Sequence, residues 1–244
     1  MAAPSIFDAC ALFGPWPQHE DLALQNLLDV MGQSNIARSV ALSTAGIFYD
    51  FRAGNAATFE AARAHAQQIL PAATLDPRAY PACLEEAKRC AAQGVRLFRF
   101  FPYSQGWPLK FAPFRELLQL CNELNVTVAV EVSRAGDATE LADAVAFTAA
   151  PLLLAGVAPR NLGEALAVTR SSPKFHLETT QLLAPGSLES IVAEVPDGAD
   201  RLIFASYSPL RYLSAALGPV LASTLSPDQK TAVLGGNLKR LLTK

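Results

Sequence analysis

The sequence predicts an α/β fold, a closed (β/α)8 TIM barrel with an extra C-terminal helix. Eight short β-rich runs alternate with longer amphipathic segments, which favours parallel strands joined by right-handed crossovers. The length of 244 residues also suits a barrel, which needs roughly 250 residues for its eight repeats. No linker interrupts the pattern, so we expect a single domain over residues 1–244. A doubly wound open sheet is the alternative, since strand order cannot be inferred from spacing.

The eight predicted strands are short and bounded by turn-forming residues. They span residues 5–12, 37–43, 70–76, 94–102, 126–133, 151–156, 174–181 and 201–207. After the last strand, the segment 226–229 (SPDQ) forms a capping box with proline at the first helical position. This signature predicts a final helix that runs to about Leu242 and carries Gly235 and Gly236 in its middle.

The composition limits the classes of partner. Apolar residues make up 51% of the chain and charged residues 17%, with a formal net charge of −2, which excludes disorder and gives no basic surface for nucleic acid or anionic lipid. The sequence shows no membrane-spanning run and no secretion signal. Its four cysteines have no CxxC spacing, as is typical of a reducing compartment. We therefore expect a cytoplasmic protein that binds a small molecule, with assembly into a homo-oligomer left open.

Aromatic residues are concentrated in the segments that leave the predicted strands, where the ligand site of a parallel α/β fold lies. With nearby arginines they predict a largely apolar cup suited to a carboxylate or another small anion. The alternative is that the aromatic residues only cap the barrel as a secondary core. The predicted binding residues are Trp16, Tyr49, Arg99, Trp107, His176, Tyr207 and Arg211.

Four side chains near the ends of predicted strands are candidates for catalysis. Because side chains alternate along a strand, Asp8 and Cys10 share one side of the first strand, while Glu131 ends an apolar run in the fifth. Glu178 occupies the corresponding place in the seventh strand. A carboxylate there is costly to bury unless it is paired or protonated, and such perturbed groups often mark active sites.

Each candidate also has a structural interpretation. Glu131 could form a buried ion pair with Arg99 that joins neighbouring strands. His176 and Glu178 could form an acid–base pair, or His176 could be a hydrogen-bonded packing residue. Cys10 could be a nucleophile, or it could serve as a small buried apolar residue.

Five stretches, in order along nearly the whole chain, resemble the amidohydrolase-related family of metal-dependent TIM-barrel hydrolases, the amidohydrolase 2 type. They are IFDACALFG (6–14), GVRLFRFFP (94–102), FHLETT (175–180), RLIFASYSP (201–209) and LSPDQKTAVLGGNLKRLL (225–242). The resemblance implies a barrel fold. It also implies a hydrolase or decarboxylase that acts on small carboxylic acids, lactones or amides with one or two divalent metals.

The metal-binding residues of that family are not present in this sequence. Cys10 and Leu12 stand in place of the first-strand HxH pair, Glu131 in place of the fifth-strand histidine, and Tyr207 in place of the eighth-strand aspartate. The sixth-strand histidine has no counterpart in LLLAG, residues 152–156. Glu131 and Cys10 alone are too few ligands for a catalytic metal. We therefore predict no metal and no cofactor.

Two classes of function remain open. The first is an enzyme that works without metal, with Glu131, Glu178 or Asp8 transferring protons and Arg99 holding an anionic substrate. The second is a catalytically inactive barrel that binds a small anionic ligand or a partner subunit through its aromatic face. The fold alone does not choose between them.

Overall fold

A computed structural model describes residues 5–17 and 19–243, and every predicted strand position holds a parallel strand. The strands are β1 (Ile6–Phe13), β2 (Ile36–Ser43), β3 (Ile69–Pro71), β4 (Leu97–Phe100), β5 (Thr127–Glu131), β6 (Leu152–Ala155), β7 (Phe175–Glu178) and β8 (Leu202–Ile203). All eight overlap the predicted strands, so the predicted alternation is confirmed.

Helices connect the strands and cover the outside of the sheet. They are α1 (Leu24–Gln33), α2 (Ala45–Phe48), α3 (Phe51–Ala64), α4 (Ala82–Ala92), α5 (Pro102–Gln105), α6 (Ala112–Glu123), α7 (Asp137–Ala144), α8 (Leu162–Ser171), α9 (Ser187–Glu194), α10 (Gly198–Arg201), α11 (Leu213–Ala222), α12 (Pro227–Thr231) and α13 (Asn237–Leu242). Within residues 5–17 and 19–243, none of the helices has the length and apolar character needed to cross a bilayer.

The strands close into a barrel through two seams. The ladders β1-β2-β3 and β4-β5-β6-β7-β8 are joined on one side by a bridge between Ala73 and Phe98. On the other side the Tyr207 amide donates to the Cys10 carbonyl over 2.8 Å, and Ala11 forms a parallel bridge with Ser208. This closure confirms the barrel and excludes the open sheet.

Alternation along the strands separates two buried cores. The inner one fills the barrel with small and branched side chains, among them Val40, Leu42, Ala129, Leu153 and Ile203. The outer one lies between the strands and the helices and includes Phe98, Phe100, Val128, Leu177 and Phe204. Since the inner positions change from apolar to polar at the carboxyl ends of the strands, the barrel carries its polar side chains at one end, here called the mouth.

The predicted capping box forms at the start of α12. The Ser226 amide donates to Gln229 Oε1 over 2.9 Å, and the Gln229 amide donates to Ser226 Oγ over 3.2 Å. The helix continues through a π-helical turn at Ala232–Gly236 into α13, where Leu238 and Leu241 pack on the inner core. The C-terminal helix therefore covers the end of the barrel opposite the mouth.

The π-helical turn brings backbone against backbone at one glycine. A Cβ placed on Gly235 would lie 3.0 Å from the Phe7 amide nitrogen and 3.0 Å from the Ser5 carbonyl oxygen, whereas one placed on Gly236 would meet nothing nearer than 3.5 Å. Strand β1 can therefore approach the turn only because residue 235 has no side chain.

We expect Gly235→Ala to destabilise the protein by about 1–3 kcal/mol, because the added methyl group must displace the backbone of β1. Gly236→Ala is the matched control, since its backbone is helical and its surroundings are open; it should be neutral or raise stability by up to about 1 kcal/mol. Urea unfolding of both variants measures the difference. If the two substitutions changed stability equally, the close approach of β1 would not be the reason that position 235 requires glycine.

Candidate functional site

A cavity of about 200 Å³, the inner cavity, opens at the barrel mouth. Its walls come from the carboxyl ends of β4 to β7 and from the segment that follows β8. The polar side chains in its walls are Arg99, Glu131, Glu178, Thr180, Gln181, Tyr207 and Arg211. Five of the residues predicted to form the site, Arg99, Glu131, Glu178, Tyr207 and Arg211, therefore meet here.

A buried ion pair crosses the barrel beneath this cavity. Arg99 is 2% exposed and Glu178 is fully buried. The guanidinium is bidentate: Nη1 donates to Glu178 Oε2 over 3.1 Å and Nη2 donates to Glu178 Oε1. A further bond runs from Nη2 to the Ala9 carbonyl oxygen over 3.3 Å. The pair joins β4 to β7 and β1, so it contacts three parts of the barrel wall.

The structure differs from two pairings that the sequence left open. Arg99 pairs with Glu178 instead of Glu131, because inward-facing side chains of a barrel can reach across it as well as to the next strand. His176 and Glu178 line different pockets. The His176 Nδ1 lies 3.1 Å from the Lys174 carbonyl oxygen, and its ring faces a separate pocket near the amino-terminal ends of β6 and β7.

Glu131 is the carboxylate that faces the inner cavity without a cation bound to it. Its Oε1 accepts a hydrogen bond from Ser133 Oγ over 2.9 Å. Its Oε2 is buried and has no hydrogen-bond partner within the described ranges. Burial raises the pKa of this carboxyl, although the Ser133 hydrogen bond and the charge of Arg99 both act to lower it. The group therefore holds its proton to a higher pH than an exposed glutamate does.

Asp8 and Cys10 lie outside the lining of this cavity. Asp8 accepts hydrogen bonds from the Cys10 amide, the Ser206 amide and Ser206 Oγ over 3.0, 2.8 and 2.5 Å. Burial nevertheless raises the pKa of Asp8 to about 6. Burial also raises the pKa of the Cys10 thiol, which keeps the sulfur protonated and unsuited to nucleophilic attack. The structure thus uses Asp8 to tie β1 to the segment after β8.

Tyr207 lies in the cavity wall on strained backbone. Its φ of 59° is in the left-handed region, which costs a residue with a side chain about 1–2 kcal/mol. Burial raises the pKa of the phenol, so that it stays a neutral hydrogen-bond donor. Arg211 follows within the same turn, its amide donating to the Tyr207 carbonyl over 3.2 Å. In the described part of the chain its guanidinium forms no ion pair, and it also lines the cavity.

The three remaining aromatic candidates do not line the inner cavity. Trp16 packs edge-on against Phe48 with ring centroids 4.8 Å apart. Trp107 packs on Phe114 at 4.6 Å and its indole N–H donates to Gln105 Oε1 over 2.9 Å. Tyr49 is 65% exposed. Both tryptophans therefore pack against other aromatic rings, as in a secondary core at the mouth. Trp107 also lines a second cavity, and Tyr207 is the one aromatic candidate that lines the inner cavity.

Sequence reasoning gave no role to two residues that shape the site. Ser133 fixes the orientation of Glu131, and Ser206 fixes that of Asp8. Thr180 also lines the inner cavity, and its buried hydroxyl has no hydrogen-bond partner in the described part of the chain. A period of two along β5 could have indicated Ser133, since it follows Glu131 on the same side. No pattern within the sequence indicates the contact of Ser206 with Asp8.

The residues at the mouth do not fit a divalent metal. Across residues 5–17 and 19–243, no three side chains of the His, Cys, Asp and Glu types converge as a metal site requires. Of the two candidate ligands, Glu131 lines the inner cavity and Cys10 lies outside its lining. Glu178 is already bound to Arg99. Among the described residues the cavity therefore offers fewer ligands than a catalytic metal needs.

A closed parallel barrel with a small polar cavity at the carboxyl ends of its strands is the architecture of the TIM-barrel class, in which ligand sites lie at those ends. Residues 50–243 match the amidohydrolase 2 family, described as Amidohydrolase, and the chain therefore belongs to this family. The family resemblance found in the sequence is thus confirmed. A comparison with curated protein sequences gives no match.

Solved structures of similar fold include two decarboxylases and a hydratase. The 5-carboxyvanillate decarboxylase of Sphingomonas paucimobilis has a TM-score of 0.78 at 11% identity, covering 99% of both chains. A dihydroxybenzoic acid decarboxylase from Polaromonas sp. JS666, solved with bound manganese and the inhibitor 2-nitroresorcinol, has a TM-score of 0.77 at 14% identity, covering 99% of this chain and 97% of that one. The 4-oxalomesaconate hydratase of Rhodopseudomonas palustris has a TM-score of 0.70 at 16% identity, covering 98% and 95%. At these identities the likeness shows a shared fold.

Removing one partner of the Arg99–Glu178 pair should be far more harmful than removing both. Arg99→Met leaves a buried carboxylate without its cation and should cost about 3–5 kcal/mol in urea unfolding, whereas the double variant Arg99→Met, Glu178→Leu should recover much of that loss. Glu85→Gln, which breaks the exposed pair with Arg52, is the control and should change stability little. A double variant no more stable than Arg99→Met would contradict this account.

Asp8 should make the free energy of unfolding fall as pH rises, whereas a carboxylate whose pKa is lowered by folding makes it increase. Its pKa of about 6 exceeds the ordinary 3.8, so the folded state binds the proton more tightly and loses stability as pH rises between these values. Relative to Asp8→Asn, the protein should lose on the order of 3 kcal/mol from about pH 4 to about pH 7. Thermal or urea unfolding across this range measures the difference, with exposed Asp143→Asn as control. If the difference in free energy of unfolding between the protein and Asp8→Asn did not change with pH, the raised pKa of Asp8 would be contradicted.

Proposed function

We propose that this amidohydrolase-family protein is a hydrolase or lyase that acts on a small carboxylate without the usual metal centre of the family. The observation that carries this proposal is the state of Glu131, whose buried Oε2 has no hydrogen-bond partner in the described part of the chain. The group borders a cavity that also contains Arg211 and Tyr207. A proton donor and two anion-binding groups therefore face one small space.

Glu131 is the carboxyl group best suited to proton transfer. Glu178 is neutralised by Arg99, and Asp8 is held by three hydrogen bonds at a seam of the barrel. A carboxyl whose pKa is raised by burial is protonated in a larger fraction of molecules near neutral pH and can act as a general acid. The Ser133 hydrogen bond fixes the orientation from which the proton is delivered.

Arg211 and Tyr207 are suited to bind the carboxylate of the substrate. The Arg211 guanidinium makes no ion pair in the described part of the chain, and the neutral phenol of Tyr207 can donate a hydrogen bond to an anion. The cavity of about 200 Å³ is smaller than the roughly 300–1,000 Å³ of most ligand sites, so the bound group is small. Arg99 also lines this cavity, with its charge bound by Glu178.

A single general acid favours decarboxylation over hydrolysis. Hydrolysis without metal needs a base to activate water and an acid to protonate the leaving group. In decarboxylation the bond between carbon and the carboxylate breaks, carbon dioxide leaves, and the electron pair stays on the carbon. That carbon then takes the proton of Glu131, which is replaced from solvent. Two of the structures of similar fold are decarboxylases of small aromatic acids, which supports this choice.

A binding protein without catalytic activity is the second candidate. The observation in its favour is that Glu178 is held in an ion pair with Arg99, which leaves Glu131 as the one carboxylate of the inner cavity without an ion pair among the described residues. Such a barrel would bind a small anion through Arg211 and release it chemically unchanged. Binding without turnover across a broad panel of carboxylates would favour this candidate.

We also propose a reducing, cytoplasmic location. All four cysteines are buried and free, which is the usual state of thiols kept reduced in the cytoplasm.

Glu131→Gln should abolish turnover while leaving ligand binding intact. Thermal-shift screening of small carboxylates, followed by detection of carbon dioxide and product by mass spectrometry, identifies a substrate. Glu131→Gln should then lower kcat by about 10²–10⁴-fold. Activity should decline as pH rises through the raised pKa of Glu131, because the acid must be protonated. Exposed Glu123→Gln is the matched control.

Arg211→Ala should instead weaken substrate binding and raise KM. Treatment with a strong chelator should leave activity unchanged. Loss of activity on chelation and recovery with a divalent metal would refute the metal-independent mechanism, and full activity of Glu131→Gln would refute the role of Glu131.

A further inference from the structure

A second, larger cavity adjoins the inner one at Glu131. This outer cavity measures about 500 Å³ and is formed by the loops that follow β4 and β5. Glu131 lies in the walls of both cavities. The proposed proton donor thus stands at their junction, with Arg211 on the inner side only.

The outer cavity is apolar and aromatic on the side formed by the loop after β4. Trp107 is 5% exposed and is fixed by its packing on Phe114. Pro102 and Pro108 contribute to the same cavity lining. These rigid side chains form a preorganised apolar surface that loses little entropy when a ligand covers it.

Two exposed side chains extend this surface towards solvent. Tyr103, 62% exposed, belongs to the loop after β4, and Arg134 belongs to the loop after β5. The guanidinium carbon of Arg134 lies 4.6 Å from the Tyr103 ring centroid, a cation–π contact that connects the two loops at the rim of the cavity.

The charges in the outer cavity do not favour a second anion. Its lining includes the carboxylates of Asp137 and Glu140 besides that of Glu131, and Arg134 is its one basic residue in the described part of the chain. Asp137 accepts a hydrogen bond from the Arg134 amide over 2.7 Å, and Glu140 lies 3.8 Å from Lys110. An uncharged aromatic or aliphatic group therefore fits this cavity better than a carboxylate does.

We propose that the outer cavity is a second subsite, which holds the uncharged aromatic part of a substrate whose carboxylate binds at Arg211. The substrate class is then an aryl or arylalkyl monocarboxylic acid that spans both cavities, with its reacting carbon beside Glu131. This inference rests on the proposed function, because it takes the inner cavity as the site of the carboxylate.

A pair of acids that differ only by a phenyl ring tests the subsite. Butyrate can occupy the inner cavity alone, whereas 4-phenylbutyrate carries a ring that would have to enter the outer one. Calorimetric titration of the full chain should show binding at least about tenfold tighter for 4-phenylbutyrate, because the ring leaves water for an apolar surface. A phenyl series from benzoate to 5-phenylpentanoate should show the gain only once the ring passes Glu131.

Trp107 provides a direct spectroscopic readout. The chain has two tryptophans, so Trp16→Phe leaves Trp107 as the sole indole emitter and keeps an aromatic ring against Phe48. In this variant 4-phenylbutyrate should shift or quench the emission, and butyrate should leave it unchanged. A ring bound elsewhere on the protein would not produce this difference.

Tyr103→Ala distinguishes the subsite from general hydrophobic binding. Because Tyr103 is largely exposed, the variant should fold normally; it should weaken 4-phenylbutyrate binding about three- to tenfold and leave butyrate binding unchanged. Phe147→Ala is the matched control, an aromatic residue that is 46% exposed and lies outside the lining of both cavities at the mouth. It should affect neither acid.

Three outcomes would overturn these proposals in distinguishable ways. If butyrate binds and Arg211→Ala abolishes that binding, but the ring adds no affinity, the second subsite does not exist and the proposed function stands. The same conclusion follows if Tyr103→Ala weakens both acids equally and the Trp107 emission never responds. If neither acid binds, or if both bind equally well to Arg211→Ala, the proposed function fails and this inference fails with it.

Discussion

The ion pair between Arg99 and Glu178 is the interaction on which the mouth of this barrel depends. It places two opposite charges inside a closed cylinder of strands, where both side chains are buried and each charge must be compensated by the other. Glu178 accepts hydrogen bonds from both terminal nitrogens of the guanidinium, and the Ala9 carbonyl accepts a third. Removing either partner would leave a buried charge without its counter-ion.

The same pair determines which carboxylate remains available for chemistry. Since Glu178 binds both terminal nitrogens of Arg99, the neighbouring Glu131 is left with a hydrogen bond from Ser133 and a buried Oε2 that no described residue contacts by a hydrogen bond. Burial then dominates its protonation and raises its pKa. Had Arg99 paired with Glu131, that carboxyl would be ionised and the cavity would hold no proton donor of this kind.

Closure of the barrel and the shape of the cavity depend on one seam. Asp8 binds the amide and hydroxyl of Ser206, and the next residue, Tyr207, donates its amide to the Cys10 carbonyl. These bonds hold Tyr207 on strained backbone and direct its phenol into the cavity wall. The chain thus combines the barrel of its family with a tyrosine and a glutamate in the walls of the inner cavity.

The sequence alone determined the features that depend on local periodicity and on chemical identity. Alternating strands and helices predicted the eight-stranded barrel, and the segment 226–229 predicted the capping box of the last helix. Period-two alternation also placed Glu131 at the site. Each of these features depends on residues within a few positions of one another, for which the spacing in sequence fixes the direction in which each side chain points.

Only the tertiary structure decided how distant side chains are paired. Arg99 and Glu178 are 79 positions apart in the sequence, and their contact crosses the barrel. The pattern of residues within a strand does not specify a contact between residues on opposite sides of the barrel. His176 shares a strand face with Glu178 but lies two residues, roughly 7 Å, nearer the opposite end, so it faces a different pocket. Trp16 and Trp107 pack against Phe48 and Phe114 because the loops that carry them fold back onto the barrel. Local sequence sets which side of an element a residue faces, whereas closure of the whole barrel sets which other residue it meets.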